Sequence, residues 1–129
     1  MTVKHFLGMR AIESEEDLDA VLHVRNHDRM NAFELTHDSD EALPTLSLLV
    51  NWDDWVAYFF PTPSHPGHVS TSREDKSAST ELLEFALTCP HDRVWIPKTR
   101  VISGQLAQEA AACFWVTRGM TPHLDWLEL

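Results

Sequence analysis

Four strand-like runs follow one another between residues 31 and 72, with only turns to separate them. They are NAFELTH (31–37), TLSLLVNW (45–52), WVAYFFP (55–61) and GHVSTS (67–72). The links are HDSDEALP, Asp53-Asp54 and PTPSHPG, each rich in turn-forming residues. The Asp53-Asp54 link is short enough to make its two strands a hairpin. Whatever else the chain contains must pack around this block.

Helical patterns flank it. In IESEEDLDAVLHVRNHD, Ser14 is placed to cap a helix, with Asp17 three residues on and acids in the first turn. Leu18, Val21, Leu22 and Arg25 fall at helical spacing, and the helix is expected to end near residues 26–28. Before it, VKHFLGMR (3–10) reads as one strand with Val3, His5, Leu7 and Met9 on one face. REDKSAST (73–80) is a polar loop, and ELLEFALT (81–88) reads as a strand or one helical turn, with strand preferred.

Further on, Pro97 leads into a second helix whose face runs through Ile102, Leu106, Ala110, Cys113 and Thr117, widened by Ala107, Ala111 and Phe114. Gly119 is the expected left-handed cap, and Pro122 forbids continuation. HLDWLEL alternates like a strand, with Leu124, Trp126 and Glu128 on one side. This last segment docks the second helix and adds a strand.

The order predicts an α+β fold: a mainly antiparallel sheet of five to seven strands with two helices packed on one face. A length of 129 residues suits a single domain, 1–129. The first residues carry no long apolar stretch, and WVAYFF is too short to span a bilayer. A cytoplasmic protein with reduced Cys89 and Cys113 is expected.

Charge bears on partners. Twenty acids against ten bases give a net charge of −10, which repels a phosphate backbone and steers in a basic protein. The same balance also serves plain solubility. Catalytic sets are not evident in the sequence. Asp19, His23 and His27 sit at helical spacing but opposite the apolar stripe, where exposed polar filler is the default reading. His65 and His68 flank Pro66-Gly67, which turn chemistry accounts for. Cys89, His91 and Asp92 are too close in sequence to make a working dyad readily. The reading is therefore of a protein that is not an enzyme, with no cofactor and no resident metal.

Binding is better represented. Trp52 and Trp55 bracket two aspartates, and tryptophan beside fixed charge suits an interface hot spot. The other reading is that both indoles cap the core. The candidate partner-binding residues are Asp38, Asp40 and Glu41 with Asp53, Asp54 and Trp55, taken to gather at one end of the sheet.

Three segments carry a family likeness: SEEDLDAVLHV, VAYFFPTPSHPGHVS and WIPKTRVISGQLAQEAAACFWVTRGMTPHLDWLEL. In this order they resemble the Imm family numbered one, among the immunity proteins of bacterial polymorphic toxin systems. His68 stands where that family more usually has an aromatic, and Thr71-Ser72-Arg73 where it commonly has glycine. The resemblance implies an immunity protein that binds and neutralises one cognate toxin domain, often a nuclease or nucleic-acid deaminase. The competing readings are a small acidic enzyme, a His-based metal-binding module, or a scaffold subunit of a homo-oligomer.

Overall fold

The computed structural model describes residues 1–37, 43–72 and 80–129. Nine strands and two α-helices run in the order β1 (Thr2–His5), β2 (Gly8–Ala11), α1 (Glu15–Leu22), β3 (Met30–Thr36), β4 (Thr45–Asn51), β5 (Asp54–Phe60), β6 (His68–Thr71), β7 (Leu82–Ala86), β8 (Arg93–Pro97), α2 (Gly104–Thr117) and β9 (Asp125–Glu128). Seven strands form one antiparallel sheet in the order β2-β1-β3-β4-β5-β6-β9. Strands β7 and β8 form a separate two-stranded sheet.

Both helices pack on one face of the large sheet, as the periodicity implies. Leu18, Val21 and Leu22 from α1 and Ala107, Ala110, Ala111 and Phe114 from α2 meet Phe33, Leu46, Leu48, Val50, Trp55, Ala57 and Phe59. The opposite face is also covered. Leu49, Val56 and Val69 bury themselves against Phe85 and Ile96 of the small sheet. A central strand covered on both faces no longer needs a polar side. That is why the run Trp55-Val56-Ala57 is apolar at every position and buried throughout.

Several elements differ from the sequence reading. The expected strand over 3–10 is a hairpin, because the chain turns at Phe6-Leu7 and Gly8 takes φ 142. Leu7 and Met9 consequently stand exposed rather than beside Val3. Helix α1 is capped by Ser14, whose side chain accepts from the Asp17 amide at 3.1 Å. It stops at Leu22, earlier than expected, where Arg25 folds back and donates to the Leu22 and Val24 carbonyls. Buried Asn31 fixes that exit, donating to Val24 O and accepting from the Phe6 and Ala32 amides.

Ile102 is not on a helix face. Pro97 is followed by a short 3₁₀ turn at Lys98–Arg100, and Ile102 then exchanges two backbone hydrogen bonds with Trp55. Helix α2 begins only after Ser103, which caps the Leu106 amide. At its other end the left-handed residue is Arg118, φ 60, and not Gly119. A Cβ on Gly119 would meet the Thr117 hydroxyl at 3.4 Å, an ordinary contact. Gly119→Ala is therefore expected to change unfolding free energy by less than about 0.5 kcal/mol. Thermal denaturation checks this, and a loss above about 1 kcal/mol would mean that Gly119 bears the left-handed turn after all.

Candidate functional site

The β4–β5 hairpin pairs Asn51 with Asp54, so its two-residue link is Trp52-Asp53 and not Asp53-Asp54. This one-residue shift decides which indole meets solvent, because side chains alternate along a strand. Trp55 pairs with Val50 on the helix-facing side and is 4% exposed. It stacks on Phe33 at 5.8 Å, and Gly104 at the start of α2 comes close to its indole nitrogen. The expectation that Trp55 touches a partner is thus corrected: it is a core residue. Trp52 is the exposed indole, at 56%.

Trp52 has φ 61, whereas Asp53 is not in the left-handed region. That is the φ pattern of a type II′ turn, whose first position favours glycine. An aromatic residue there is a backbone outlier that its surroundings must hold. Arg29 does so. The Trp52 amide donates to Arg29 O at 3.0 Å, and the Arg29 guanidinium lies 3.9 Å from the indole centroid. Arg29 is itself left-handed, φ 69, and its amide donates to Asn26 O. Two non-glycine residues with positive φ thus brace one another on an exposed tip.

The charges here are mixed rather than purely acidic. Asp53 and Asp54 are exposed. Arg25 is half-buried over the Trp55 ring at 5.0 Å; burial pulls its guanidinium below the ordinary arginine value, and the charge of Asp53 works the other way. Arg93 ties the tip to the small sheet by pairing with both Asp28 and Glu84. Arg25 and Arg29 were not anticipated as site residues. Only the fold brings the turn after α1 beside the β4–β5 hairpin.

Asp38, Asp40 and Glu41 lie outside the described residues. Thr36 and Thr45, the strand residues on either side of that connection, pair at the opposite end of β4 from Asn51. Six residue steps separate the two ends, about 20 Å. Successive turns of antiparallel strands alternate ends, so the expected gathering of both acidic links at one end does not follow from this topology.

The other histidine and cysteine groups expected from the sequence do not assemble, with one exception. His23 turns onto the Asp19 carbonyl at 2.7 Å, and His27 falls beyond the end of α1, so helical spacing no longer aligns it. Asp92 accepts from the Thr88 hydroxyl rather than orienting His91 or Cys89. His65 and His68, however, meet Glu128 from the far end of the chain. On the face away from the helices, Lys4, Glu34, Ser47 and Tyr58 form one cross-strand row beside Phe60 and Leu87, flooring a recess of about 350 Å³. Burial raises the Tyr58 phenol above its ordinary value, with Arg100 opposing.

Among the described residues no helix is long and apolar enough to cross a membrane. The chain matches no protein-family model and no curated protein.

Proposed function

We propose that this protein is an immunity protein that acts in the cytoplasm of a toxin-producing bacterium. It binds a cognate toxin domain directly and blocks it, without catalysis. The observation that carries the reading is the exposed Trp52 indole, held in a left-handed turn and backed by Arg29. Tryptophan and arginine dominate interface hot spots, and a side chain already fixed in place loses little freedom on binding. The net charge of −10 adds long-range attraction to a basic toxin cleft, as a nuclease or nucleic-acid deaminase presents. The resemblance of three sequence segments to the Imm family numbered one also motivates this reading, although the chain matches no family model.

Charge at the tip should act on association. Asp54→Lys, alone and with Asp53→Lys, is expected to slow association with the product of the adjacent upstream gene. The effect should shrink with salt, because the Debye length falls from about 10 Å at 0.1 M to about 3 Å at 1 M. The single variant is the cleaner one, since Asp53 also faces Arg25. Stopped-flow rates and cell protection read the outcome. If the folded double variant associates and protects like the parent, the tip is not the toxin surface.

A further inference from the structure

The fold brings together three metal-ligating side chains that are far apart in sequence. His68 and Glu128 are direct cross-strand partners in the β6–β9 pair, so their side chains share a face. His68 also pairs with Phe59, which places that face on the helix side of the sheet. The turn before β6 folds His65 back over the same spot. Gly67, at φ 104, donates its amide to His65 Nδ1 at 2.9 Å, and Gly67 O accepts from the Leu129 amide. The two imidazoles stack with centroids 4.7 Å apart, and His65 Nε2 is 3.7 Å from Glu128 Oε1. One donor atom from each residue lies within 4.8 Å of the others.

We propose that His65, His68 and Glu128 form an exchangeable site for a divalent transition metal that fastens β9 to the rest of the sheet. Two imidazoles and one carboxylate suit zinc, nickel or copper, whereas magnesium and calcium prefer oxygen ligands alone. Three protein ligands leave the fourth position to water. Bonds of about 2.0–2.2 Å in a tetrahedral site need donor atoms roughly 3.4 Å apart. The donor atoms, all within 4.8 Å of one another, must therefore close by at most about 1.4 Å. Glu128 is 71% exposed and can swing inward, and the His65 ring must turn out of its stack with His68 so that both ring planes meet at the metal.

The hydrogen bonding sets the strength. With Nδ1 accepting from Gly67, a neutral His65 carries its proton on Nε2, facing Glu128. Ligation through Nε2 moves that proton to Nδ1 and releases the Gly67 amide. The metal competes with this bond, which makes the site micromolar and exchangeable rather than a resident centre. Its consequence is local. Strand β9 is an edge of the sheet with four residues, and ligands on both sides of the β6–β9 seam hold it against fraying.

The test is calorimetric titration of chelator-treated protein with zinc alone and nickel alone. One equivalent should bind with micromolar Kd, and metal at a hundred times Kd should raise Tm by about 5–10 °C. His68→Ala and Glu128→Gln should each weaken binding at least about tenfold, while His23→Ala with His27→Ala leaves it unchanged. Amide exchange along β9 should slow with metal in the parent and not in Glu128→Gln. Glu128 is exposed, so that variant keeps the question open to measurement even if His68→Ala misfolds. The absence of saturable binding overturns the proposal, as does binding that survives Glu128→Gln or that disappears with His23 and His27.

Discussion

Phe114→Ala is expected to lower the unfolding free energy by about 3–5 kcal/mol, the largest effect of any single change considered for this fold. Phe114 is fully buried on α2 at the point where the helix meets the sheet. Its ring lies edge-on to Phe59 at 6.3 Å and tilted against His37 at 4.9 Å, and His37 Nε2 lies 2.8 Å from its carbonyl oxygen. The other fully buried residues of α2 are Ala107, Ala110 and Ala111, whose small side chains bring the helix close to the sheet. Truncation would leave a cavity, which adds to the lost transfer free energy. A domain of this size is typically stable by about 5–15 kcal/mol, so the loss takes a large share. Urea denaturation should show a lower midpoint with an unchanged slope. Val116→Ala, on the same helix but exposed, should fall within about 0.5 kcal/mol of the parent. A Phe114 loss below about 1 kcal/mol would mean that α2 does not depend on this contact.

What could be read in advance follows from how local each signal is. Ser14 with its acidic first turn, the four successive strands and the alternating HLDWLEL segment are written within a few residues, and each element forms. The hairpin at Phe6-Leu7 was hidden because alternation continues across the turn; Gly8 was the one local sign. Strand β8 was hidden because Ile96-Pro97 reads as a helix entrance, yet Pro97 ends an edge strand, where its missing amide costs little. The unbroken apolar run in β5 was the available sign that something covers the second face. At the helix end, glycine chemistry pointed one residue too far. Arg118 carries the left-handed turn while Thr117 Oγ1 accepts from the Gly119 amide. The site was legible only in part. Aspartates at a tight turn were visible, but the pairing of Asn51 with Asp54 depends on the whole β4–β5 register, and that register decides that Trp52 is outside and Trp55 inside.

Removal of the Trp52 indole is expected to weaken toxin binding by about 30-fold to 1,000-fold, or roughly 2–4 kcal/mol, while the protein stays folded. The size follows from the role proposed for it. An exposed indole on a braced turn brings a large apolar area to an interface with little freedom left to lose. Loss should appear mainly in dissociation, in contrast to the charge variants at Asp53 and Asp54. Trp52→Gly separates this role from a structural one. Glycine suits φ 61, and relief of left-handed strain is worth about 1–2 kcal/mol. The lost stacking of Arg29 costs about 0.5–1 kcal/mol, with a similar cost for the freer unfolded chain. Stability should then stay within about 1 kcal/mol of the parent, so weaker binding cannot be traced to unfolding. Trp52→Ala keeps the strain and loses the ring, and should bind as poorly as Trp52→Gly but melt lower. Surface-immobilised toxin and thermal melts give both readouts on the same samples. Parent-like binding by Trp52→Gly would remove this tip from the interface, and the left-handed tryptophan would then have no bearing on toxin neutralisation.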